Sequence, residues 1–176
     1  WYGGALFFCL TRSVRDTAAY LDVVNGSLPG EPYYAPKPAT SFLTEAGTAP
    51  GKLKIALVTD APAGCTPVDG EVAGAVQATG KLLEELGHTV EAQPLPYDFW
   101  QLNDLYTRIT ALQTAGWIDA MGAFVGRPPK DDDLAPLYVS MIEIGRAISG
   151  VEHSNDVEAM RMICRDTYDH GKSHFD

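Results

Sequence analysis

The sequence predicts an α/β fold: a βαβ unit belonging to a mixed sheet and covered by helices, with a helix-rich C-terminal part. Three observations carry this. Residues 52–93 read as strand, helix and strand; from Asp98 onward apolar residues recur three and four apart; and between them and the N-terminal helix lies a stretch with Pro29, Pro32, Pro36, Pro38 and Pro50, which opposes both helix and sheet.

Residues 53–58 are a short apolar run, opened by Lys52 and closed by Asp60, Pro62 and Gly64, which suits a central strand buried on both faces. Thr66 is the expected N-cap of the following helix, with Pro67 at its first position and Asp69 and Glu71 at the positive end of its dipole. Val72, Val76, Leu83 and Leu86, widened by Ala75 and Leu82, form the predicted buried stripe. Gly87 supplies the left-handed stop, His88 is read as a helix-end residue favoured by the dipole, and residues 88–93 alternate as a second strand. A helix of about 20 residues spans roughly 30 Å, enough to return the chain beside the first strand in parallel. The loop 60–66 has no Gly-x-Gly-x-x-Gly and no Gly-Lys-Ser/Thr, and Pro62 and Pro67 remove two backbone donors, so a nucleotide site is not expected there.

A chain of 176 residues with 45% hydrophobic and 20% charged residues has the material for one globular core. Its net charge of −10, with no basic cluster, argues against nucleic acid and anionic membrane as partners and favours a small neutral or cationic substrate. Cys9, Cys65 and Cys164 are far apart and form no C-x-x-C pair, so neither a disulfide framework nor a zinc ribbon is expected. The chain starts at Trp1, and WYGGALFFCL reads as protein interior, a core strand or buried loop, which predicts a fragment; the run is too short to span a bilayer.

Residues 10–26 predict a helix with Ser13 as N-cap, Asp16 three residues on, and Gly26 at the stop. Val14, Ala18, Leu21 and Val24 make its expected buried stripe, with Arg12, Arg15 and Asp22 off it. Arg12, Arg15 and Asp16 could form a substrate clamp, but a helix start tied to its neighbours is the favoured reading.

These residues also carry a resemblance. LTRSVRDTAAYLDVVNG, followed by PGEPYYAPKPATSF and PGKLKIALVTD, resembles the amidase signature family of serine hydrolases. The likeness continues through VDGEV, ELGHTVE and GRPPKDDDLAPLY…EIGRAIS and covers nearly the whole chain; the last element is most similar to the bacterial branch of aryl-acylamidases and cyclic-amide hydrolases such as the nylon-oligomer enzymes. The resemblance implies cleavage of C–N amide bonds through an acyl-enzyme. Its triad would be a lysine, a serine in a cis peptide and a nucleophilic serine, all upstream of TRSVRDTAA and with no cofactor or metal. Only nine residues precede Leu10 here, without a serine or lysine among them, so no catalytic residue is carried over.

The chain therefore reads as a C-terminal piece of such an enzyme, inactive alone, with residues 1–176 forming one incomplete domain: 1–26 a buried run and helix, 27–51 a proline-rich strap, 52–95 the βαβ unit, 96–176 the helical part. In the full-length enzyme the partner would be a small-molecule amide substrate; alone, self-association or pairing with the missing N-terminal half is expected, in the cytoplasm. Trp117, Met121, Tyr138 and Met141 belong to the region that shapes the acyl or leaving-group pocket in such enzymes, with plain helix core as the alternative. A non-catalytic interaction module derived from the hydrolase fold, or a segment of an amidotransferase subunit, are the other readings.

In the strap, Tyr33, Tyr34 and Phe42 are the expected pegs. Leu102, Leu105, Ile109 and Leu112 open the helical part, prolonged by Trp117, Ile118 and Met121. GRPPKDDD, 126–133, lacks the spaced oxygens of a calcium loop and is read as a solvated turn, with Asp133 or a neighbour capping a helix that has Pro136 in its first turn and runs to Ser149 and Gly150. A last helix is expected from Ser154 or Asn155, with Glu158 in capping-box position, burying Val157, Met160 and Cys164. His170 and His174 stand at the spacing of two zinc ligands, but with Gly171 between them and no third ligand evident they are read as surface histidines.

Overall fold

A computed structural model describes residues 7–175, which divide into two compact units, 7–51 and 52–175. The first holds α1 (Val14–Val24) and the short α2 (Phe42–Glu45). Ser13 caps α1 as expected, its hydroxyl accepting from the Asp16 N–H at 3.1 Å. The strap is pinned differently from the prediction. Tyr33 and Tyr34 are exposed and Phe42 is half-buried, whereas Asp22, read as a polar bystander on α1, spends both carboxylate oxygens on the first N–H groups of α2: Oδ1 accepts from Phe42 at 2.7 Å and Oδ2 from Leu43 at 3.1 Å. A carboxylate at a helix N-terminus makes charge-assisted bonds that no ring contact would supply.

The stripe of α1 is also corrected. Ala18 is buried and Leu21 half-buried, but Val14 and Val24 are exposed, because a four-residue neighbour is too small to cover an 11-residue helix. Residues 1–6 of the expected interior run lie outside the described residues; beyond them Phe7, Phe8 and Leu10 are exposed.

The second unit begins with β1 (Lys54–Leu57), α3 (Gly70–Glu85) and β2 (Thr89–Ala92). The strands pair in parallel, Ile55 opposite Val90, as the sequence predicted. Among the described residues this sheet has two strands, so β1 is half-covered rather than buried on both faces. α3 starts a turn later than expected, because the carboxylate of Asp69, which accepts from the Glu71 N–H at 2.8 Å, takes the capping role assigned to Thr66.

Its covered stripe is Ala73, Val76, Gly80 and Leu83; Val72, Ala75, Leu82 and Leu86, one position round the helix, face away. A pair of strands about 5 Å apart is too narrow to cover both stripes. Gly80 lets α3 approach β1 closely: a Cβ there would lie 3.0 Å from Leu57 Cδ2. At the far end Gly87 adopts φ +95° and the N–H groups of Gly87 and His88 reach back to the carbonyls of Glu84 and Leu83. The His88 ring has a second task, its Nδ1 accepting from the Leu53 N–H at 3.1 Å and so fastening the start of β1 beside the start of β2.

The rest is a helical layer of α4 (Phe99–Val125), α5 (Pro136–Ala147) and α6 (Gly150–His174). Asp98 Oδ1 caps α4 through the N–H groups of Trp100 and Gln101. Ala115 and Ile118 of α4 pack with Ile142 of α5 and Leu134; Ile109 packs with Val157 and Met160 of α6 and with Leu102. Arg108 bonds Asp156 across the α4–α6 contact at 2.9 Å, which raises the guanidinium pKa. The α4–α5 crossing closes on Gly145, where a Cβ would fall 2.3 Å from the Ala111 carbonyl oxygen.

Three expectations change here. Ala135, without a side-chain bond, precedes Pro136 at the start of α5, since Asp133 is engaged elsewhere. α5 stops at Ala147, and α6 begins at Gly150 rather than after Ser154, because Ser149 and Glu152 form a reciprocal capping box and make Ser154 and Asn155 interior. Val157 and Met160 are buried as predicted, but Cys164 is exposed. Among the described residues no helix is long and apolar enough to cross a membrane.

Candidate functional site

The clefts of the unit 52–175 include two of more than 600 Å³. The first, of about 670 Å³, follows one flank of the α4–α5 pair and is lined by Asp119, Ala123, Arg127, Val139, Glu143 and Arg146 among others. Its floor is the turn after α4. Gly126 at φ +81° ends that helix, and Arg127 then grips Asp133 with two parallel bonds, Nη1 to Oδ2 at 2.6 Å and Nη2 to Oδ1 at 3.2 Å, while the Lys130 N–H donates to the same carboxylate at 2.9 Å. The Arg127 guanidinium and then the Lys130 N–H lower the Asp133 pKa to about 2. GRPPKDDD is thus a stapled turn rather than a merely solvated one. Asp119 and Arg146, 2.7 Å apart, bridge the helices at the cleft edge.

The four residues predicted to shape a pocket do not line this flank. Helical spacing sets Trp117 and Met121 on the side of α4 away from Asp119 and Ala123, and Met141 on the side of α5 away from Glu143 and Arg146. Trp117 is 60% exposed, Met121 and Tyr138 are also exposed, and Met141 is half-buried. Exposed Phe124 and Leu137 extend the same ledge, and Met121 borders a smaller cleft of about 220 Å³ with Val125 and Leu134.

The second cleft, of about 640 Å³, opens at the carboxyl ends of β1 and β2, where open α/β sheets place their ligands. Thr59, Asp60, Pro62, Gln93, Tyr97 and Trp100 line it. Sequence reasoning tested this loop only for phosphate and missed its partner across the cleft: the Trp100 indole N–H donates to the Ala63 carbonyl at 2.6 Å, and its ring packs on Gly64 at φ +83°. The signal available was an indole two positions after a helix cap, Asp98.

Six of the seven serines are occupied by local structure. Ser13 and Ser149 accept helix N–H groups, Ser41 accepts from Thr44, Ser27 donates to the Tyr33 carbonyl, and Ser140 and Ser173 donate to carbonyls four residues back. Lys54 sits 3.3 Å from Glu91 with 43% of its side chain exposed. Among the described residues no group of three or more His, Cys, Asp or Glu could hold a metal ion.

A model of the Amidase family matches residues 9–167. A 6-aminohexanoate-cyclic-dimer hydrolase from Paenarthrobacter ureafaciens is 31% identical over 151 residues, 85% of this chain and 31% of that protein. A putative amidase from Synechocystis sp. is 37% identical over 82 residues, 47% of this chain and 16% of that protein. Among solved structures, that of a 6-aminohexanoate cyclic dimer hydrolase superposes with a TM-score of 0.86 at 29% identity, over 94% of this chain and 34% of the other. A bacterial aryl acylamidase of the amidase signature family shares the fold over the same proportions, with a TM-score of 0.77 at 24% identity. The chain spans about a third of the length of these hydrolases.

Proposed function

The chain belongs to the amidase signature family, and from that premise we propose that it is part of a longer hydrolase that cleaves the C–N bond of a small amide through an acyl-enzyme. The observation that carries the reading is the match to cyclic-dimer hydrolases over 85% of this chain, with the same backbone over 94% of it. Nucleophile and base come from the part of the enzyme that this chain does not supply. Residues 1–176 belong to its single catalytic domain, and the ledge of Trp117, Met121, Tyr138 and Met141 faces the acyl or leaving group there, which is consistent with large apolar side chains left exposed here. The enzyme is cytoplasmic, and the natural partner of this chain is the N-terminal half of the fold.

Acyl transfer needs a nucleophile, a base within about 3 Å and oxyanion donors. The purified chain is expected to turn over neither an anilide nor an aryl ester and to take up no fluorophosphonate by intact mass. A stoichiometric adduct on one of its seven serines, with turnover lost when that serine becomes alanine, would place the chemistry within this chain. The ledge is tested in the longer enzyme: Trp117→Ala should change KM between aliphatic and aromatic acyl groups, and equal kinetics would remove it from the pocket.

A further inference from the structure

The cleft at the strand ends has a chemistry that acyl transfer does not use. Its two acids differ: Asp98 Oδ1 is committed to the Trp100 and Gln101 N–H groups at 2.9 and 3.0 Å, whereas Asp60, in the loop directly after β1, borders the cleft exposed. No lysine, arginine or histidine stands among the lining residues. Tyr97, Phe99 and Trp100 add aromatic rings to the lining, and the Trp100 indole is tied to the loop after β1 by its bond to Ala63 and its approach to Gly64. An indole and a carboxylate lining one cleft, with no base among the lining residues, attract a cation with an apolar body and repel an anion.

We propose that this cleft binds the ammonium group of a short aliphatic amine, with Asp60 as counter-ion and the Trp100 ring as cation–π and apolar wall. The inference deepens the amidase reading, since C–N cleavage of an N-alkyl amide releases an amine of this class, but the walls rather than the reaction select the ligand.

The test is a titration of the isotope-labelled chain with butylammonium chloride, compared with butanol and butyrate at matched ionic strength. Butylammonium should shift the amides of residues 59–63 and 93–100 and the Trp100 indole N–H saturably, and butyrate should not. Asp60→Asn should weaken binding about fivefold, and Asp98→Asn, which keeps a capping side chain, by less than about twofold. Equal shifts with butanol, an Asp60→Asn chain that binds like the parent, or shifts confined to the helices would overturn the proposal. Because no hydrolysis is read, a negative titration leaves the amidase reading standing, and an unexpected fluorophosphonate adduct leaves the binding site standing.

Discussion

The α4–α5–α6 layer and the βαβ segment both have the apolar spacing of packed elements, yet only the first buries large side chains, even though it too leaves Trp117, Phe124 and Leu137 exposed. Ile109 of α4 is 2% exposed among Val157 and Met160, while on α3 Gly80 is the one buried residue and Leu82 and Leu86 face away. α4 has α5 on one stripe and α6 on another, but a strand pair covers a single stripe. Periodicity thus names the apolar faces of a helix, and the number of neighbouring elements decides which face is filled.

Adding bulk where the helical layer is tightest gives the largest expected effect. Gly145→Ala places a methyl group 2.3 Å from the Ala111 carbonyl oxygen, and overpacking of about 1–3 kcal/mol or more should exceed the helix-propensity gain of about 1 kcal/mol. A urea midpoint that rises would mean that the helices are not in contact there. On α3 the two stripes separate by substitution. Leu83→Asp should cost about 1–3 kcal/mol and Leu82→Asp no more than about 0.5 kcal/mol, and equal losses would erase the distinction between the covered and open stripes.

Ser149→Ala, which breaks the capping box of α6, should lower stability by about 1 kcal/mol in the same denaturation experiment, with Ser154→Ala as the near-silent control. The smallest effect belongs to pH. Asp133 has its pKa lowered from 3.8 to about 2 in the fold, so its contribution is complete above pH 3.8 and is lost as pH falls through about 2. Carboxyl chemical shifts should show this midpoint, and Arg127→Gln should return it toward 3.8.

These contrasts show what the residues disclosed. The strand–helix–strand order, the Gly87 stop, the Ser13 cap and the core positions Ile109, Ile118, Val157 and Met160 were legible because each depends on near neighbours or on regular spacing. The start of α6 was misplaced because Ser149/Glu152 and Asn155/Glu158 offer the same local signal, and only the bonds made at Ser149 choose between them. The role of Asp22 and the Trp100–Ala63 bond were not legible, since their partners lie 20 and 37 residues away. For the candidate pocket, family likeness identified Trp117 and Met121, but their exposure depends on what packs around them and is not encoded in their spacing.

The clasp between Asp22 and α2 has a consequence for how this chain tolerates change. It closes a loop of 20 residues through two backbone bonds at one end, and bonds within the intervening proline-rich segment, such as that from Ser27 to the Tyr33 carbonyl and that from the Leu28 N–H to Glu31, are local and exposed. Closure entropy grows only with the logarithm of loop length, about 0.6 kcal/mol for each doubling. Insertions between Pro29 and Pro38 should therefore be nearly neutral while the carboxylate still reaches its two N–H groups, and the length of this segment is free to drift where that of the helices on either side is not.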